Sequence, residues 1–139
     1  MKGVKGQVGM EYMIIIGFVT LAIMSILAFA VFYADQIKDR IRLNQVEGFA
    51  VQLLNSAESV FFAGTPSKTT VSLYLPEGVE QITVATDYIV FNVRTSSGTN
   101  IRVFNSKVPL SGTIQVAEGL KKISLEAQST FLNISSVIS

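Results

Sequence analysis

Between Glu11 and Asp35 the chain runs for 23 residues, YMIIIGFVTLAIMSILAFAVFYA, without one charged side chain. As a helix rising 1.5 Å per residue, this stretch covers roughly 34 Å, slightly more than the hydrocarbon core of a bilayer. A helix apolar on every side has no face to offer to water, so it needs lipid or other protein around it. All eleven lysines and arginines, and all ten acids, of the 139 residues lie outside the stretch. Lys2 and Lys5 precede it, and positive charge on the short flank predicts a cytoplasmic N-terminus and export of the remainder.

Composition removes most other classes. With neither histidine nor cysteine, the chain has no imidazole base, no thiolate nucleophile, no disulfide and no zinc site of the usual Cys/His kind. The scattered carboxylates and Ser67-Lys68 form no catalytic constellation, and no glycine-rich phosphate loop occurs, so no catalytic residue, metal or cofactor is expected. A net charge of +1 gives no basic cluster for nucleic acid.

Three readings of the apolar stretch compete. It is an ordinary single-pass anchor; or a secretory signal removed after Ala28-Phe29-Ala30; or the body of a class III signal, cut before the stretch so that the stretch stays on the mature protein. Cleavage after Ala30 would leave Val31, Phe32 and Tyr33 at a soluble terminus in the middle of a helical pattern. Glu11 bears on the choice, because a carboxylate beside a lipid-spanning run costs about 2.5–3.5 kcal/mol if drawn to the bilayer centre, and a plain anchor gains nothing from it.

The residues around Glu11, Lys5-Gly6-Gln7-Val8-Gly9-Met10-Glu11-Tyr12, resemble the prepilin processing motif of archaeal type IV pilins. In that family a basic residue and a glycine precede the cut, glutamine begins the mature chain, and glutamate and tyrosine follow as its fifth and sixth residues. Gly9 stands where the family often has serine. The resemblance implies a leader at 1–6, cleavage directed by Lys5, Gly6 and Gln7, and a filament-core helix over 7–34 that sits in the cytoplasmic membrane before assembly. It further implies that Glu11 of an incoming subunit meets the Gln7 ammonium of its neighbour, with Tyr12 as a hydrogen-bonding alternative if Gln7 cyclises. A first-turn capping role for Glu11 is the plainer alternative. The implied partners are identical subunits in a homopolymer, a prepilin peptidase, an assembly ATPase and a membrane platform protein. The implied product is an extracellular filament for adhesion or surface attachment. An archaellin-like motility filament is the nearest variant, although archaellins usually lack the Glu-Tyr pair. From a different class, the chain would be a membrane-anchored β-domain that binds a surface ligand.

Beyond the apolar stretch, Ile37, Ile41, Val46, Phe49, Leu53, Ala57, Val60 and Phe61 recur every three to five residues, the stripe of an amphipathic helix. No proline occurs before Pro66, so one helix from about Gln7 to Ala63 is expected, with two helices joined near 34–36 as the alternative. Gly64-Thr65-Pro66-Ser67 should end it. After that the period becomes two: Val71, Leu73 and Leu75; Ile82 and Val84; Ile89, Phe91 and Val93. Further strands are expected at 100–104, 108–110, 112–116, 122–127 and 131–137, with the short turn clusters favouring antiparallel pairing. The expected fold class is α+β: a long N-terminal helix, apolar in its first half and amphipathic over 35–64, packed on a small antiparallel β-domain at 65–139. Asn133-Ile134-Ser135 matches an N-glycosylation acceptor, a pattern that chance also supplies in a chain rich in Ser and Thr.

Overall fold

A computed structural model describes residues 4–137. The part of the expected leader before residue 4 lies outside the described residues, as do the side chains of Val4 and Lys5. One helix, α1, spans Val4–Ala63 and contributes to two compact units, Met1–Lys38 and Asp39–Ser139. Its start precedes the expected Gln7, because a lone Gly6 costs a helix only about 1 kcal/mol and nothing else in that turn breaks it. No interruption falls at 34–36. Gly64, at φ 80, closes the helix with its amide 3.1 Å from the Phe61 carbonyl.

Within the second unit, the helix buries Val46, Phe49, Ala50, Leu53, Leu54, Ala57 and Val60. This corrects the expected stripe at its beginning: Ile37 and Ile41 are more than half exposed. The five-residue step from Ile41 to Val46 turns the helix by about 140° beyond one full revolution, which carries Ile41 off the buried face. Asp39, Arg42 and Leu43, all half-buried, continue that face instead. Ala50 and Leu54 complete it at the i+4 and i+8 positions from Val46.

Seven strands follow: β1 Lys68–Leu75, β2 Val79–Val84, β3 Tyr88–Thr95, β4 Gly98–Asn105, β5 Leu110–Thr113, β6 Gly119–Ala127 and β7 Leu132–Val137. They form a four-stranded sheet in the order β1-β6-β7-β5 and a three-stranded meander, β2-β3-β4. Inward residues of both sheets, including Leu73, Leu75, Ile89, Phe91, Ile123, Leu125, Leu132 and Ile134, join the helix in a single apolar core. Phe91 sits at its centre, edge-on to Phe49 of α1 and to Phe104 of β4 at 5.9 and 5.7 Å between ring centres. The protein is therefore α+β, as expected, with one departure. The pair β5–β7 is parallel, Leu110 opposite Leu132 through Thr113 opposite Ser135. The expected strands at 108–110 and 112–116 reduce to the four residues of β5.

The parallel pair depends on Gly112. Its φ is 126, and a Cβ built there would stand 1.9 Å from the Ile134 carbonyl oxygen, so β5 reaches β7 only because this position has no side chain.

Candidate assembly segment

The apolar stretch falls in the first unit as continuous helix. Helical geometry turns successive residues by about 100°, so Ile14, Ile15, Ile16 and Phe18 lie on different sides of α1, and all are exposed, Phe18 at 72%. The same holds to the end of the stretch, where Phe29, Val31, Phe32 and Tyr33 are each more than 60% exposed. The helix is long and apolar enough to cross a membrane, and none of that window is buried inside the chain. Its two aliphatic hydroxyls are already satisfied locally. Thr20 Oγ1 donates to the Ile16 carbonyl and Ser25 Oγ to that of Leu21, each at 2.8 Å. Bonds of this i−4 type remove the cost of taking Ser and Thr out of water.

Glu11 and Tyr12 are exposed in the turn that precedes this surface. Gln7 is exposed one helical turn earlier, at the i−4 position from Glu11, and Gly6 lies beside it. The Gly6–Gln7 bond is in the first turn of α1, where backbone amides lack i−4 acceptors. Unwinding this end therefore breaks few hydrogen bonds. Lys5 is in the same turn by backbone. Asn133 lies elsewhere, half-buried in β7 between Glu126 of β6 and Ser111 of β5. Among the described residues, no three His, Cys, Asp or Glu side chains converge as a metal site would require.

One polar cluster in the second unit was not singled out by the sequence. Asp39 Oδ2 accepts hydrogen bonds from the Ser96 amide, at 2.9 Å, and from the Ser96 hydroxyl. Arg42 Nη1 donates to the Arg94 carbonyl at 3.1 Å and lies 3.4 Å from Asp39 Oδ1, while Nη2 reaches Glu77 at 2.8 Å. The two side chains tie α1 to the β3–β4 turn and to the turn before β2. The Arg42 side chain also lies against Gly78, where a Cβ would come within 2.9 Å of Nε. The Ser96 hydroxyl and then its amide hold the Asp39 carboxyl below its ordinary value of 3.8, with Arg42 adding to the effect against partial desolvation. The i, i+3 pair of Asp39 and Arg42 reads in sequence as a solvated helix face; only its continuity with the Val46 stripe could have revealed it.

No protein-family model, curated protein or solved structure matches this chain.

Proposed function

We propose that this protein is a pilin, a structural subunit of an archaeal type IV filament. A peptidase removes residues 1–6, and the apolar helices of many copies then bundle into the core while the β-domains face outward. The observation that carries the reading is the helix over 12–34, uncharged and exposed on all sides, beginning directly after Glu11. Lipid satisfies such a surface before assembly, and neighbouring helices satisfy it afterwards. At about 25 cal/mol per Å², burying a dozen of these side chains against neighbours supplies tens of kcal/mol before entropy costs.

Glu11 supplies register in this scheme. Paired with the α-amino group of a neighbouring Gln7 at 4 Å, and with an effective dielectric near 20, it gains about 4 kcal/mol. An assembly ATPase and a membrane platform protein would drive the extrusion, and the filament would serve adhesion or surface attachment. Electron microscopy of cells producing the chain tests the proposal. Filaments that label with antibody to residues 65–139 are expected. Label confined to the membrane as dispersed single copies would refute it and favour an anchored binding domain.

A further inference from the structure

The three-stranded sheet ends on β4, and the hydrogen-bond parity of the β3–β4 ladder fixes which of its groups are unpaired. Ser106 donates its amide to the Asp87 carbonyl at 2.7 Å, and the register continues through Ile89–Phe104, Phe91–Arg102 and Val93–Asn100 to Thr95–Gly98. In an antiparallel pair such positions alternate. The backbone groups of Thr99, Ile101, Val103 and Asn105 therefore point away from β3, along the free edge. Ile101 and Val103 are also 63% and 55% exposed.

Long apolar edges invite pairing, and proteins usually blunt them with charge, proline, irregularity or brevity. The other three edges of this domain carry such devices. On β1, Lys68 lies on the free edge and prolines flank the strand. The register of β2 shifts between Val79 and Gln81, and β5 has four residues preceded by Pro109. By contrast β4 is eight residues long with a regular register and no proline. Its one charge, Arg102, stands opposite Phe91 on the core-side face but is itself exposed, and the edge-facing Thr99, Ile101, Val103 and Asn105 are uncharged.

We infer that the free edge of β4 pairs antiparallel with the β4 edge of a second copy of this chain, with Ile101 opposite Ile101. The occupant follows from self-complementarity and charge. An antiparallel strand pair is compatible with two-fold symmetry, so one strand can serve as both partners. Cross-strand neighbours share a face, which allows only registers that shift by two residues. Two of these match nearly the whole strand. One sets Arg102 against Arg102 and is opposed by like charge. The other centres on Ile101, sets Arg102 against Asn100 and Val103 against Thr99, and closes roughly six hydrogen bonds. A single strand pair buries less than the roughly 1,200 Å² of a stable dimer, so the contact is weak for two free chains and strong where many copies are displayed together. Two-fold pairing also differs from the head-to-tail relation of subunits along one polar filament. The inference does not depend on the pilin reading.

Cysteine cross-linking tests it directly, since the chain has no native cysteine. Full-length Ile101→Cys, reconstituted in liposomes of neutral phospholipid and oxidised with copper-phenanthroline, should form disulfide dimers at least about tenfold faster than Leu120→Cys; opposed Cα atoms about 5.5 Å apart suit a disulfide. Leu120 is 70% exposed but lies on β6, an interior strand of its sheet, where it stands opposite Tyr74 of β1. A mixture of Thr99→Cys and Val103→Cys chains should cross-link more than either alone, and adding Ile101→Lys to both should abolish the gain. Equal rates at 101 and 120, or the fastest heterologous pair being 101 with 103, would overturn the inference. Because the readout needs no filament, failure to assemble leaves it decided on its own evidence.

Discussion

Two glycines separate backbone strain from close approach, and their comparison measures how far the β5–β7 pair holds the domain together. Gly98 and Gly112 have nearly the same φ, 122 and 126. A Cβ at Gly98 would meet nothing within 4 Å, whereas one at Gly112 would meet the Ile134 oxygen at 1.9 Å. Gly98→Ala should therefore cost only the backbone strain, about 1–3 kcal/mol. In Gly112→Ala the strands must separate by roughly 1.5 Å to restore ordinary contact, which lengthens their hydrogen bonds beyond useful range. Losing two to four bonds worth about 1 kcal/mol each adds roughly 2–4 kcal/mol. At about 4–8 °C per kcal/mol for a domain of this size, thermal unfolding of residues 35–139 followed by circular dichroism should place Gly112→Ala about 8–32 °C below Gly98→Ala. Equal midpoints would refute the claim that β5 reaches β7 only through the missing side chain.

Glu11→Gln keeps size and helix propensity, and loss of a helix-terminal charge costs only about 0.3–1 kcal/mol; filament yield should nevertheless collapse while processing and membrane insertion persist, as read by immunoblot and electron microscopy. Wild-type yield would leave Glu11 without a role in assembly. Because Asp39 titrates below its ordinary value when folded, its contribution to stability is present above the unfolded pKa and is lost as pH falls through the folded one. Urea midpoints of residues 35–139 should thus fall from about pH 4 downward, and Asp39→Asn should lower the neutral-pH midpoint and flatten that dependence. The same fragment should be soluble and largely monomeric at micromolar concentration in sedimentation, since it lacks the apolar stretch; polymers would move the assembly surface to the sheets.

What the sequence made legible follows from period. A run of 23 residues without charge, a 3.6-residue stripe and then two-residue alternation define apolar helix, amphipathic helix and strands without reference to tertiary contacts. The stripe failed at Ile41 because a five-residue gap fits loose counting but not helical rotation, and the polar Asp39 and Arg42 occupy the true continuation. Their role depends on Ser96, Glu77 and the Arg94 carbonyl, partners 35 to 57 residues away. Local pattern carries no such information. Parallel pairing of β5 with β7 was equally hidden: short turns argue for hairpins, and the fact that decides otherwise is a backbone approach at Gly112. The segment from Lys5 to Tyr12, on which the pilin proposal rests, is contiguous, so its resemblance needed no tertiary structure to be seen. The open edge of β4 emerged only once strand order and hydrogen-bond parity were known.

The central claim is that the chain is cut before an apolar helix that stays with the mature protein and drives its assembly. Mass spectrometry of the N-terminal peptide from native protein tests this most directly. The account predicts Gln7, free or as pyroglutamate, with the peptide continuing through Glu11 and Tyr12 into the apolar stretch. Recovery of Met1 would mark an uncut anchor, and recovery of Val31 a discarded secretory signal; either would contradict the account.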